Sequence, residues 1–534
     1  MSRTSGVTPP EYDEQTYEVV RLNWAGLGVV KVEERDRCVP LTRVGEDIRV
    51  RWHYGAWGKV TGERIDPTSA STLALDQALG CAQARRCSGC SLRHMSVEEQ
   101  RQAQEESHLG AITRLGERDT SKVDVVWLQG VPRDGYRVRV TAQLRVIDEE
   151  RSRWGLALRA RWGAPVDLAL CPNHPQILRD LVTCVGTWLN EHAQALLPAQ
   201  GEGSPSQSSS QHQSRNRSRF TLSRISIQAG GGLPRWVTLH LEDPRKEGGL
   251  KRHIIERRLS QGSLIWDQLP IDILYQGLNQ VWARSTSESA ERSDQYDEPN
   301  DPKSVSKALA IFGVVGLRDQ AKSSLGPHRL MGPQDHRWAC ARGYEFVAYP
   351  PAWLPQTPSS LESVRQGVAR CIWGAPAQGP CADDRDDRDE LVVEVGCGVG
   401  LIGVALLAAH PHLRWIGIDI VPESAHCAAE SAMLNQVDQR SRWIAEDGRR
   451  ALADLDVTPD ILIIHAMRRP LSGILQLAAH LEIKRVCYLA PSAPSLGRDL
   501  AEAPIYHLDH IYFLDQMPGT ATLMTIAQLS LTST

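Results

Sequence analysis

Apolar and polar positions change rhythm along the chain, and each rhythm predicts an element. From residue 16 to 65, short alternating runs such as Tyr17-Glu-Val-Val-Arg-Leu, Gly28-Val-Val-Lys-Val and Asp47-Ile-Arg-Val-Arg-Trp are broken by Gly26, Gly28 and Gly45. That pattern predicts a small β-barrel over 14–70. A helical stretch follows at 96–113, and then Asp134 to Val146 and Arg153 to Trp162 alternate apolar residues with arginine, a hairpin with one basic face. The sharpest change comes at Glu390-Leu-Val-Val-Glu394-Val-Gly396-Cys-Gly398-Val-Gly400-Leu-Ile-Gly403, where an apolar run stops in glycines and an amphipathic run begins. Strand, tight loop and helix are predicted. Alternating apolar and helical segments continue to residue 531, which predicts a doubly wound α/β domain over 341–534, behind a mixed α+β region over 71–340. Polar tracts at 201–218, 284–304 and 375–389 hold too few apolar residues to order themselves and read as flexible insertions.

The bulk numbers narrow the partners. A chain of 534 residues is too long for one core. Its net charge of −4 gives no global attraction for nucleic acid, so any such binding must come from local arginine patches. Within the barrel, Arg21, Arg43, Arg49, Arg51, Lys59 and Arg64 lie among Trp24, Trp52, Tyr54 and Trp57, residue types that supply charge and stacking faces for RNA or equally an ordinary core and rim. No apolar run is long enough to span a bilayer and the first residues are polar, so a cytoplasmic protein without a membrane partner is expected; the sequence leaves the oligomeric state open, with a monomer the first expectation.

Two stretches carry candidate chemistry. In the glycine loop, backbone N–H groups and a helix N-terminus can approach a ligand closely, because glycine has no side chain in the way and tolerates positive φ. The spacing fits nicotinamide, flavin or S-adenosylmethionine alike, and Asp419, ending the next apolar run, stands where a carboxylate meets ribose hydroxyls. Glu394, Asp419, Asp447 and His465 are all expected at strand C-termini. The second stretch is Cys81-Ala-Gln-Ala-Arg-Arg-Cys87-Ser-Gly-Cys90. Three thiolates this close repel and oxidise unless they share a partner, so the spacing points to zinc or an iron–sulfur cluster. Either needs a fourth ligand; Cys171 in Leu168-Ala-Leu-Cys171-Pro-Asn-His174 is the candidate, with Cys184 and His94 behind it.

Taken together these parts resemble the RNA (uracil-C5)-methyltransferases of the iron–sulfur, TRAM-barrel type that act on ribosomal or transfer RNA. The resemblance runs almost end to end. It implies an OB-like TRAM barrel, a [4Fe-4S] cluster on Cys81, Cys87, Cys90 and Cys171, and a C-terminal class I methyltransferase domain of Rossmann-like form. S-adenosylmethionine is expected on Glu394, Gly396, Gly398, Gly400, Asp419 and Asp447, and an RNA partner, ribosomal rather than transfer RNA. The C-terminal half departs from the family pattern on the chemistry. The family adds a cysteine thiolate to uracil C6, methylates C5, then removes the C5 proton with a general base. Tyr488 to Asp499 matches the nucleophile segment at both ends, yet Pro491 stands at the cysteine's place. Met524 stands at the place of the base glutamate, and His465-Ala-Met-Arg replaces an Asp-Pro-Pro-Arg segment. Phe346-Val-Ala348 replaces Phe-x-Gln, and Gly396 and Leu401 replace an aromatic residue and an asparagine. The expectation is an S-adenosylmethionine-binding RNA methyltransferase homologue that forms no covalent adduct, with His465 the one candidate base. The alternative is an inactive RNA-binding iron–sulfur protein.

Overall fold

The computed structural model describes residues 15–54, 60–65, 80–148, 153–158, 160–161, 164–192, 221–229, 236–242, 271–290, 310–316, 324–331, 337–339, 343–350, 352, 354–355, 357–374, 389–466 and 470–532. The tracts 201–218 and 375–388 lie outside these residues. So does most of 284–304, although 284–290 continue the helix Ile271–Ala290.

At the N-terminal end, Gln15–Glu18, Asp47–Tyr54 and Val60–Ile65 form one antiparallel sheet, and Arg21–Leu22, Gly28–Val32 and Arg35–Val39 another. They share a core of Val19, Val30, Val39, Ile48, Val50 and Trp52. Ile48, Val50 and Trp52 are two apart along one strand, so the period-two alternation turns all three to the same face.

The middle of the chain builds a seven-stranded sheet in the order Val166–Asp167, Arg153–Leu158, Arg139–Asp148, Thr221–Gln228, Trp236–Glu242, Ala310–Gly316, Ser324–Met331. Helices Gln176–His192 and Ile271–Ala290 pack on it through Leu178, Leu181, Val185, Leu274 and Leu278. The Arg139–Asp148 strand buries Val140, Ala142 and Leu144. Arg139, Thr141, Gln143 and Arg145 alternate with them and take the opposite face.

The largest sheet has eight strands: β1 (Asp124–Trp127), β2 (Glu390–Val395), β3 (Leu413–Asp419), β4 (Ser441–Ala445), β5 (Ile461–His465), β6 (Arg485–Ala490), β7 (Tyr506–Leu514) and β8 (Met524–Leu531). Their order is β4-β3-β2-β5-β6-β8-β7-β1, every neighbour parallel except the two pairings of β8. From β2 onward the chain starts at the centre, winds one way to β4, returns to β5 and winds the other way, which leaves a switch point between β2 and β5. Helices α1 (Val97–Gly116), α2 (Leu361–Trp373), α3 (Gly403–Ala409), α4 (Pro422–Leu434), α5 (Gly448–Ala453), α6 (Ile474–His480) and α7 (Ala493–Glu502) cover its faces. Both α1 and β1 come from the first quarter of the chain, so the sheet is closed at one edge by residues almost four hundred positions away. A capping box starts α1: Ser96 Oγ accepts from Glu99 N at 3.2 Å, and Glu99 Oε2 accepts from Ser96 N at 2.7 Å.

One arginine finishes α3. Its last turn leaves carbonyls that no intrahelical N–H can reach. Arg440 donates to Leu407 O at 2.7 Å, His410 O at 3.0 Å, Pro411 O at 3.2 Å and Leu413 O at 3.0 Å. Arg440→Ala is expected to cost about 3 kcal/mol, since several partly buried carbonyls lose a charged donor at once. Urea unfolding checks this, and Arg440→Lys, which offers a point charge without the fork, should recover only part of the loss.

Candidate functional site

The glycine loop leaves β2 at the switch point and folds back over the end of β3. Gly396 N and Cys397 N both donate to Ile418 O, at 2.8 and 3.1 Å. Gly396, Gly398 and Gly400 have φ of +84°, +56° and +82°. A Cβ on Gly396 would come within 2.7 Å of His465 O. The ring of Trp443 lies against the neighbouring strand, where a Cβ on Gly417 would meet it at 2.2 Å. Both approaches require glycine.

The three acidic residues of the site do different things. Glu394 is 1% exposed and lies beneath the loop, where Oε2 accepts from Trp415 Nε1 at 3.3 Å. Burial pushes its carboxyl up to about 8, and the nearby Asp419 charge adds to the rise. Asp419 ties the loop down: Oδ2 accepts from Gly398 N at 2.9 Å and Oδ1 from Val421 N at 2.8 Å. Burial raises its carboxyl too, against those two amides. Asp447, on the loop after β4, caps α5 by accepting from Arg449 N and Arg450 N at 3.2 and 3.3 Å. Glu446 N donates to Asp419 O at 3.1 Å, so Asp419 and Asp447 face the same edge. Between them Ile420 is 65% exposed, an apolar side chain at the C-terminal edge of a parallel sheet. It was missed in the sequence, although an apolar residue directly after a strand-ending acid is a usable signal. His465 ends β5 beside Leu489 of β6, and its backbone faces Gly396. Burial lowers its imidazole to about 4, so the ring is neutral at pH 7.

The four cysteines gather in one region. Gln83 bonds both the amide and the carbonyl of Asp167, each at 2.8 Å, and so joins the Cys81–Cys90 segment to the one that carries Cys171. Burial raises the thiols of Cys81, Cys87 and Cys171, Cys171 to about 11, and the charge of Cys90 acts on all three. Among the described residues no three His, Cys, Asp or Glu side chains form a set that would hold a metal ion. Arg93, Arg137 and Arg161 surround the thiols, and neither Arg161 Nη1 nor Arg137 Nε has a hydrogen-bond partner. The other fourth-ligand candidates are occupied elsewhere: His94 Nε2 meets Thr42 O at 3.0 Å, and Cys184 lies against Gly277 in the middle sheet's helical layer.

No family model matches the chain. An uncharacterized RNA methyltransferase of Staphylococcus aureus (strain MRSA252) is 21% identical over 97% of this chain and 98% of its own length. The 23S rRNA (uracil(747)-C(5))-methyltransferase of Salmonella typhimurium is 28% identical over 134 residues, 25% of this chain and 35% of that protein. The tRNA (uracil-54, C5)-methyltransferase of Pyrococcus abyssi, solved with S-adenosyl-L-homocysteine, shares the fold with a TM-score of 0.56 at 15% identity, over 97% of this chain and all of its own. The chain is similar along its length to an RNA methyltransferase, and it shares the fold of an enzyme named for uracil C5.

The end of β6 and β8, where the sequence resemblance expects a nucleophile and a base, is apolar. Ala490 pairs with Thr525, so Pro491 and Met524 stand together at the end of β6 and β8. Met524, Leu401, Phe346 and Ala348 belong to one buried cluster, Met524 being 6% exposed. Neither Cys397 nor Cys487 replaces the nucleophile: Cys397 is buried with its thiol raised well above the usual range, and Cys487 is buried in β6. The retained ends of the matched segment have a structural reason. Tyr488 Oη donates to Asp499 Oδ2, which also accepts from Leu471 N at 2.8 Å, and this holds α7 to the strand. Met467 and Arg468 lie outside the described residues.

Proposed function

We propose that the protein is an S-adenosylmethionine-dependent RNA methyltransferase that does not use cysteine addition to uracil C6. The observation that carries the reading is the contrast at one sheet edge. The cofactor side keeps its glycines, with Asp419 bonded to the loop amide of Gly398, whereas Pro491 and Met524 stand together in an apolar acceptor side. Gly396, Gly398 and Gly400 let the backbone close on the cofactor, Asp419 and Asp447 suit its hydroxyl and amino groups, and Ile420 offers a face for its purine. Glu394 acts from within the sheet, accepting from Trp415, whose indole lies against Gly403 where the loop enters α3. When bound, S-adenosylmethionine supplies an electrophilic methyl group. An acceptor atom with its own lone pair, nitrogen or oxygen, needs no covalent activation, and neutral His465 is the candidate to take a proton from it.

The cysteines read as ligands of a [4Fe-4S] cluster. Four thiolates around such a centre leave net negative charge, and buried arginine N–H groups without partners are what that charge would satisfy. RNA is the partner, met first by the two small sheets, which we assign to a TRAM-like barrel. There Trp52 is core while Trp24 is 60% exposed for stacking. In the middle sheet Arg139 is held below its usual range by burial and by the like charge of Arg224, an arrangement that a phosphate would relieve. Free thiols and an RNA substrate suit a cytoplasmic protein; among the described residues no helix is long and apolar enough to cross a membrane.

Two measurements test this. Calorimetry should show S-adenosylmethionine binding; its absence would overturn the reading and leave an RNA-binding protein. Incubation with 5-fluorouracil-substituted ribosomal RNA and labelled cofactor should give no band that survives denaturation, and a trapped protein–RNA complex would refute the adduct-free route.

A further inference from the structure

We propose that Asn173 and Tyr136 are positioning residues that tie the four-cysteine site to the 515–524 segment, so that a metal centre on the thiols sets the order of the acceptor side. This rests on the reading of the cysteines as ligands. The connection is a directed chain of hydrogen bonds. Asn173 Nδ2 donates to Cys90 Sγ at 3.2 Å and to Tyr136 Oη at 3.0 Å, and Tyr136 Oη donates to Pro518 O at 3.4 Å. Arg93, 3% exposed, fixes the amide by donating to Asn173 Oδ1 at 2.9 Å and is itself held by Asp134. Every hydrogen-bonding atom of the Asn173 side chain is thereby engaged, so a shift at Cys90 has to move Tyr136.

The receiving end is the turn before β8. Leu92 N, two residues after Cys90, donates to Gly519 O at 2.9 Å. Gln100 Oε1 accepts from Gly519 N and Gln104 Nε2 donates to Thr520 O, each at 2.9 Å. Arg137 Nη2 meets Met517 Sδ at 3.5 Å. The turn leads directly into Met524, beside Pro491. A metal-bound sulfur is fixed in place and would accept the Asn173 amide as a charge-assisted bond. Linked hydrogen bonds also strengthen one another. Loading the cysteines therefore tightens the whole chain from Cys90 to Pro518. The cofactor loop shares none of these bonds.

Hydrogen exchange by mass spectrometry, on protein purified anaerobically and assayed for iron, sulfide and zinc, tests the tie. Stripping the metal should raise exchange of the 517–521 amides about tenfold and leave those of β3 unchanged. Tyr136→Phe, which loses only the hydroxyl, should keep the metal and raise exchange of the same amides about threefold. Asn173→Ala should match the stripped protein there. In both variants the KM for RNA rises while S-adenosylmethionine affinity stays within about twofold, a split that general destabilisation does not produce. If Asn173→Ala fails to fold, Tyr136→Phe decides. Metal-bearing protein whose 517–521 amides exchange alike when loaded, stripped or carrying Tyr136→Phe overturns the tie alone. Protein that holds no metal overturns the ligand reading and the tie with it.

Discussion

Gly396→Ala is expected to abolish detectable S-adenosylmethionine binding, a loss of at least about 100-fold, and to cost roughly 3 kcal/mol of stability. Two effects act on one atom. At φ of +84° a Cβ is disfavoured by about 1–2 kcal/mol wherever it sits. Here it would also come within 2.7 Å of the His465 carbonyl, a backbone atom of a central buried strand that cannot swing aside. The loop has to rise, and in rising it loses the bonds from Gly396 N and Cys397 N to Ile418 O and from Gly398 N to Asp419. Gly343 is the control. Its φ is +79° but nothing lies within 4 Å of a Cβ there, so Gly343→Ala should show the backbone cost alone. Equal loss of thermal stability in the two variants would show that contact with His465 plays no part.

What the sequence disclosed follows from the range of the interactions involved. The strand, loop and helix at 390–409 are legible because apolar run, glycines and amphipathic run are contiguous, and each has a local physical cause. The alternation of Ile48, Val50 and Trp52 shows that they share a face, but that Trp52 is core and Trp24 exposed is settled only by the fold. Glu394 is different. Its place beneath the loop depends on the Trp415 indole of a neighbouring strand, which no spacing reveals. Strand β1 was illegible for the same reason: four residues with no strong period become a strand only because His510 to Phe513 offer an open edge. The helix Ile271–Ala290 runs on into residues whose composition argued for an unordered tract, its apolar face on the middle sheet outweighing the polar tail. At the cysteines, spacing pointed to shared chemistry, but Arg93, Asn173 and Tyr136 reach them only through the fold. The substitutions at Pro491 and Met524 were visible one at a time. Their adjacency is a matter of register between β6 and β8.

Glu394→Gln should make the protein more stable at neutral and alkaline pH, which is unusual for a residue in a glycine-loop motif. The folded state holds the Glu394 proton up to about 8, whereas the unfolded chain releases it near the ordinary 4.5. Between those values the native state binds the extra proton, so stability falls as pH rises. The stabilisation from the neutral carboxyl is complete below pH 4.5 and is lost as the pH climbs through 8. Glutamine keeps the shape and can still accept from Trp415, but it never ionises. The two proteins should therefore match near pH 4.5 and separate by roughly 1.4 kcal/mol per pH unit above it, a gap on the order of 3 kcal/mol by pH 7. The raised carboxyl of Asp419 contributes a slope of the same sign to both proteins and cancels in the difference. Urea unfolding at half-unit steps from pH 5 to 8 measures the gap. Parallel stability curves would mean that the buried carboxylate finds a compensating charge when it ionises, and that Glu394 is not held neutral beneath the loop.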